Sequence, residues 1–259
     1  VSKIGKPYRI EQYDNANNLY TTVINKWDKD TLSNGRFFVK LTEKLTLNYE
    51  GDTDHRDTLE TFSYASGTGN IVEKINWGQV TGTASGTYSD TGSDKFTTTF
   101  DYATSSTYNI YALPSRETMT DQSGNKVRES KFYYDTLSIG SVTKGNLTKQ
   151  EMWVSSSTYI DIEKTYDTYG LVVTEKDARD KTTTYTYDSY NLYPATTTNP
   201  VSHIIGRQFD YSSGKVKTVV DPNSHVYETV YDGFDRVVEE KQPDLTTPST
   251  LVTRSLMTY

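Results

Sequence analysis

Tyr166-Asp167-Thr168-Tyr169-Gly170-Leu171 opens the stretch that decides the fold. The aromatic–aspartate step returns at Tyr187-Asp188, Phe209-Asp210 and Tyr231-Asp232, with spacings of 21, 22 and 22 residues. A turn residue follows each pair: Gly170, Asn191, Gly214 and Asp235. Next comes a β-forming run such as Leu171-Val172-Val173-Thr174, then a second polar turn such as Asp177-Ala178-Arg179-Asp180-Lys181 or Asp221-Pro222-Asn223-Ser224. A return run such as Thr182-Thr183-Thr184-Tyr185-Thr186 leads to the next pair. A fixed period of this size signals a repeat array, because one hairpin cannot bury a face alone and must stack on its neighbours. Each repeat then supplies two strands and two turns. An aspartate at a strand end can accept turn N–H groups. Tyrosines recurring once per repeat can pair across strands, at about 0.2–1 kcal/mol per pair.

Working outward, composition supports β-structure. Aromatics make up 13% of the 259 residues, with 22 Tyr, against 34% hydrophobic residues overall. Disordered chains are poor in aromatics, whereas Tyr and Thr favour strands. The net charge of −7 argues against nucleic-acid binding, which needs a basic surface. The chain has no Cys, and no apolar run approaches the roughly 20 residues needed to span a bilayer as a helix. Val1-Ser2-Lys3-Ile4-Gly5 is no signal peptide, and Leu256-Met257-Thr258-Tyr259 reads as a return strand before a further repeat, so both ends are expected to continue into a longer protein.

The front of the chain reads as longer hairpins. Tyr8 to Trp27 is a hairpin turning at Asn15-Ala16-Asn17-Asn18, and Asn34-Gly35 is a turn. Phe37, Val39, Leu41, Leu45, Leu47 and Tyr49 alternate with mostly polar residues, a period of two that predicts a strand. Gly69-Asn70 leads to Trp77 and Gly145-Asn146 to Trp153, each Gly–Trp spacing being eight, with Asn18-Leu19 leading to Trp27 as a looser case. These Trp are expected to cap hydrophobic strips rather than to form a ligand platform. Thr81 to Asp94 reads as a long loop or floppy hairpin tip. Phe96, Phe100 and Tyr102 are expected on one strand face, and Asp121-Gln122-Ser123-Gly124-Asn125 as a turn. The expected division is 1–161 for divergent long hairpins and 162–259 for regular repeats of about 22 residues.

The four aromatic–aspartate copies resemble the YD repeat, also called the RHS repeat. The repeat-defining residues are Tyr166, Asp167, Gly170, Tyr187, Asp188, Phe209, Asp210, Gly214, Tyr231, Asp232 and Arg236. Asp232-Gly233-Phe234-Asp235-Arg236-Val237 keeps the family Arg but has Asp where Gly is expected, while Tyr166 to Leu171 keeps the Gly and loses the Arg. The resemblance implies an all-β fold, a curved antiparallel sheet of β-hairpin repeats that is a segment of a larger shell. In insecticidal toxin complexes and polymorphic toxins such a shell encloses a toxic C-terminal segment; in teneurins it supports adhesion. The implied role is a structural wall segment around a toxin or effector cargo, in a secreted or cell-surface bacterial protein. The implied partners are the remaining repeats and an enclosed toxin segment, with self-association of an excised strip through its sheet edges. The alternative role is an extracellular adhesion or glycan/protein-binding module.

No chemistry stands out. His203 and His225 are 22 residues apart and each sits 16 residues after its repeat aromatic, but no third metal ligand is in register. Asp52-Thr53-Asp54-His55-Arg56-Asp57 has Asp57 at the sixth position and Ser63 at the twelfth, where a calcium loop needs Gly and Glu, so it reads as a solvated acidic turn. Ser85, in Gly82-Thr83-Ala84-Ser85-Gly86, lacks the spacing of a nucleophile elbow. Toxins of the resembled family carry self-cleavage machinery at the end of the shell; no segment here matches it, and Asp221-Pro222 reads as a repeat turn. The expectation is a non-enzyme with no catalytic residue, no cofactor and no metal.

Overall fold

The computed structural model describes residues 5–32 and 35–259. Residues 1–4 and Asn34 of the expected Asn34-Gly35 turn lie outside the described residues. The described residues form nineteen strands and no helix. The chain packs as two units, Val1–Ile160 and Asp161–Tyr259.

The first unit is built from long hairpins. β1 (Arg9–Tyr13) pairs with β2 (Leu19–Thr31), β2 with β3 (Phe37–Asn48), β3 with β4 (Arg56–Tyr64) and β4 with β5 (Ile71–Gly82), all antiparallel. The alternation read between Phe37 and Tyr49 is strand β3, whose Leu45 and Leu47 are buried. Strand β5 then divides. Glu73 to Asn76 pairs with β7 (Phe96–Ser105), whereas Val80 to Gly82 pairs with β6 (Tyr88–Asp90). Gly78 lies between the two ladders with φ +65, and a Cβ there would stand 2.2 Å from the Asp94 carboxylate. Only glycine fits that backbone and that approach.

The split lets the β5–β6 hairpin cross the sheet. Its tip meets β1 and β2: Arg9 Nη1 donates to the Ala84 carbonyl at 2.9 Å, and a Cβ on Gly86 would stand 3.2 Å from Ile24 Cγ2. Beneath it lies a core of Ile24, Leu45, Leu47, Leu59 and Val80, packed by Tyr49, Trp77 and Tyr88. Of the two expectations for Thr81 to Asp94, a long loop or a floppy hairpin tip, the structure shows a hairpin, and its covering role is what local Gly/Ser/Thr content could not show.

Strand β8 (Ile110–Thr120) pairs with β7 and with β9 (Lys126–Tyr134), and β9 pairs with β10 (Leu147–Ser155). A second core joins Ala103 of β7 and Tyr134 of β9 to Val142 of the covering loop from Asp135 to Asn146, where Thr104 N–H donates to the Gly140 carbonyl at 3.1 Å. The β7–β8 register shifts between Asp101 and Tyr102. Phe96 and Phe100 line one hollow with Met119 and Val127, and the Tyr102 hydroxyl bonds the Ile71 carbonyl at 2.7 Å.

The second unit is a meander of short strands. β11 (Thr158–Tyr166), β12 (Val172–Lys176), β13 (Thr182–Tyr187), β14 (Pro194–Thr198), β15 (Ile204–Phe209), β16 (Val216–Val220), β17 (Val226–Tyr231), β18 (Val237–Pro243) and β19 (Leu251–Leu256) each pair antiparallel with the next. No residue from Asp161 onward is fully buried. Threonines meet across strands in the register Thr174–Thr184–Thr198, and the Thr165–Thr174 and Thr186–Thr196 hydroxyls lie 2.6 Å apart. Among the described residues no helix is long and apolar enough to cross a membrane.

Candidate functional site: the aspartate-capped repeat turn

Each aromatic–aspartate pair closes a strand onto a turn. Asp167 N–H donates to the Leu171 carbonyl at 2.9 Å, and Asp167 Oδ1 accepts from Tyr169 N–H at 2.8 Å and Leu171 N–H at 2.9 Å. Gly170 has φ +83, so the loop is a tight turn followed by a left-handed residue. Asp232 repeats this on Phe234 and Arg236 N–H, both at 2.9 Å, with Asp235 left-handed at φ 62. Asp188 and Asp210 close turns one residue longer, ending at Tyr193 and Lys215, with Asn191 and Gly214 left-handed.

The second turn of each repeat uses the same device. Asp177, Asn199 and Asp221 each accept two backbone N–H groups through Oδ1, and Asp180, Ser202 and Ser224 are left-handed. An Asx residue thus recurs at 167, 177, 188, 199, 210, 221 and 232, an interval of ten or eleven. That half-period was present in the sequence, but Asn199 and the Asp221-Pro222 step broke the aromatic pattern that marked the other turns.

These bonds set the charge state. Backbone N–H groups of Lys181 and Arg179 hold the Asp177 carboxyl below the usual range, and Arg236 does so for Asp232 through its backbone N–H and its guanidinium. Arg236 Nε lies 2.8 Å from Asp232 Oδ2, which gives the one repeat Arg a local task.

The repeat tyrosine ties neighbouring strands. The Tyr187 hydroxyl donates to the Val172 carbonyl at 2.9 Å and the Tyr231 hydroxyl to Val216 at 3.0 Å, in each case the first residue of the adjacent strand. Phe209 has no hydroxyl, and the Tyr193 ring stacks on it at 4.5 Å instead. In the first unit Tyr64, Tyr102 and Tyr134 make the same kind of bond to the Leu41, Ile71 and Pro114 carbonyls.

The other candidates take individual places. Each Trp has a lysine over its ring: Lys6 on Trp27 at 5.3 Å, Lys95 on Trp77 at 5.0 Å and Lys126 on Trp153 at 4.9 Å. Trp77 packs on the first core, whereas Trp153 Nε1 donates to the Ser156 carbonyl. Asp52 and Asp54 are exposed, but Asp57 is only 3% exposed and accepts from Gly82 N–H at 2.7 Å, with His55 Nδ1 at 2.5 Å. The solvated-turn reading fails at Asp57, because the residue that buries it lies 25 positions away. His225 Nδ1 lies 3.3 Å from Asp221 Oδ2, and His203 sits in the Asn199 turn. Among the described residues no group of three or more His, Cys, Asp or Glu is placed to hold a metal. The Ser85 hydroxyl lies 2.8 Å from Thr83 Oγ1 in the hairpin tip.

Asp135, in a further aromatic–aspartate step of the sequence, has a role that its spacing did not reveal. Its carboxylate accepts from the N–H groups of Thr143, Lys144, Gly145 and Asn146 at 2.7–3.0 Å and gathers the covering loop. Burial pushes this carboxyl up, but the four N–H donors bring it down to about 2. The signal was the Tyr134-Asp135 step itself, here followed by a long loop instead of a short turn.

No family model and no curated protein matches this sequence. Solved structures do match its fold. The crystal structure of TcdB2-TccC3-Cdc42 aligns with a TM-score of 0.75 at 10% identity over 92% of this chain and 16% of that chain. The Photorhabdus luminescens Tc holotoxin pore carrying TccC3-D651A aligns with a TM-score of 0.75 at 10% identity over 97% of this chain and 16% of that one. TcdB2-TccC3 without its hypervariable C-terminal region gives 0.73 at 10% identity, again over 92% and 16%. The chain therefore spans about a sixth of the length of the structures it matches. At this identity the likeness is one of fold, and the fold is the antiparallel β-hairpin strip of the RHS-repeat shell proteins of the Tc toxins.

Proposed function

We propose that this chain is a wall segment of an RHS/YD-repeat shell that encloses a toxin or effector cargo in a secreted or cell-surface protein. The observation that carries the reading is the fold match over 92% of the chain to shell-forming toxin components. The second unit supports it: a single layer of capped hairpins with no buried residue extends by adding repeats rather than by closing a core. The role is structural and not enzymatic, with the neighbouring repeats and the cargo as partners. The wall keeps its cargo away from solvent until release.

Protease protection of the full-length protein tests this. The segment following the repeats should resist digestion while the repeats are intact and be cut once mild denaturant opens the wall. Immediate cleavage in native buffer contradicts encapsulation. Sheet edges supply a second outcome. Among the described residues β19 pairs with β18 on one side, so the isolated chain should self-associate. Light scattering should show mass rising with concentration, and a constant monomer mass would contradict this.

A further inference from the structure

The two longer repeat turns of the second unit share an aromatic cluster. The turn from Asp188 to Tyr193 and the turn from Asp210 to Lys215 lie on the same edge of the meander, two strands apart, which is about 10 Å at ordinary strand spacing. Two rings bridge that gap. Tyr190 and Tyr211 meet edge to face, with centroids 5.1 Å apart and planes at 78°. Both are open to solvent, at 68% and 52% exposure. A third tyrosine, Tyr193, is fixed in place: it stacks on Phe209 at 4.5 Å, and its centroid lies 6.0 Å from that of Tyr211. Asp188 completes the cluster. Its Oδ1 accepts from Leu192 N–H at 2.9 Å, and its Oδ2 is buried without a completed hydrogen bond. The carboxylate stands close enough to the Tyr211 hydroxyl to push that phenol up. Tyr169, in the turn capped by Asp167, is also well exposed but meets no second ring among the described residues.

We propose that Tyr190 and Tyr211 are a modification site, coupling to a dityrosine staple between neighbouring repeats when the protein meets hydrogen peroxide and a peroxidase. Each phenol gives up one electron and its hydroxyl proton. The two radicals join through one Cε of each ring, and the hydrogen on each joined carbon moves to its phenol oxygen. Peroxide takes the two electrons and two protons and leaves as two waters, so the chain loses two hydrogen atoms. Proximity selects this pair, because the partner ring is already at contact and the coupling is intramolecular. Exposed rings turn about their side-chain torsions within nanoseconds, so the pair samples the edge-to-edge approach that coupling needs. Asp188 is the base beside Tyr211: a phenol becomes strongly acidic as its electron leaves, and a carboxylate is in place to take the proton. Tyr193 is held back by its stack on Phe209 and by Gly214, where a Cβ would stand 2.9 Å from its hydroxyl oxygen. The staple closes residues 190–211 into a loop in the unit that has no fully buried residue, and it restricts the unfolded chain as a disulfide does. The site lies within the second unit and does not depend on the encapsulation reading.

Treatment of the full-length protein with a haem peroxidase and limiting hydrogen peroxide, followed by trypsin and mass spectrometry, tests the proposal. Peptide 208–215 holds Tyr211 as its one tyrosine, so a cross-link on it is unambiguous. It should appear joined to peptide 182–207, at the summed mass less two hydrogens, with dityrosine fluorescence. The yield should hold across a roughly hundredfold dilution of the protein, as an intramolecular reaction requires. Tyr190→Phe and Tyr211→Phe should each abolish the joined peptide with an unchanged circular dichroism spectrum. Tyr169→Phe and Tyr193→Phe should leave it. The stapled second unit should melt on the order of 10 °C higher than the untreated one. Four results would each overturn the proposal: oxidation of peptide 165–176, which carries Tyr169, with no joined peptide; a joined peptide that survives in Tyr190→Phe; a cross-link that disappears on dilution; or a cross-link that leaves the melting midpoint where it was.

Discussion

The unit up to Ile160 holds every fully buried side chain of the described residues, and the unit from Asp161 onward holds none. Both are antiparallel hairpins with capped turns, so the difference lies in what covers the sheet. In the first unit the β5–β6 hairpin and the Asp135 loop each fold over one patch of strand and make a core. In the second unit strands of five to seven residues after β11 are held by Asx-capped turns, tyrosine hydroxyls and cross-strand Thr pairs. One repeat protein thus uses two sources of order: local cores where the chain doubles back, and nearest-neighbour pairing where it does not.

The sharpest way to break that contrast is to empty a core. Leu47 and Leu59 are 0% exposed. Leu47→Ala or Leu59→Ala should cost about 2–5 kcal/mol, read as a lower denaturant midpoint for the first unit. Val219→Ala on half-buried β16 should cost clearly less. Equal losses would mean that the second unit has a core after all.

Next in size is the cap of the second cover. Asp135→Ala removes a carboxylate that gathers four N–H groups, at about 2–3 kcal/mol. The folded carboxyl sits near 2, below the ordinary value of about 3.9. A depressed carboxyl stabilises the fold fully above its unfolded value, and the contribution fades as pH falls through the folded one. Wild type and variant should therefore differ most at neutral pH and converge towards pH 2. A difference that persists at pH 2 would assign the loss to packing.

Gly78→Ala should then cost about 1–3 kcal/mol, from strain at positive φ and from the Asp94 carboxylate. Gly233→Ala, in open space within the Asp232 turn, should stay within about 0.5 kcal/mol. Tyr187→Phe should cost about 1 kcal/mol, the loss of one hydroxyl bond. Amide exchange should then speed up near Val172 and not in the first unit. No change there would remove the tyrosine hydroxyl from the account of repeat cohesion.

What the sequence showed follows the range of each interaction. The Asp167 and Asp232 turns were legible because carboxylate and N–H donors lie two and four residues apart. Strand β3 was legible because alternation is local. Asp57, the β5–β6 cover and Asp135 were not, because Gly82, Ile24 and the 143–146 N–H groups that give them meaning are distant in sequence.

Electron microscopy of the full-length protein tests the central claim most directly. The account predicts a hollow shell with internal density and this chain traced in its wall. A solid particle, or an open sheet with no enclosed volume, would contradict it.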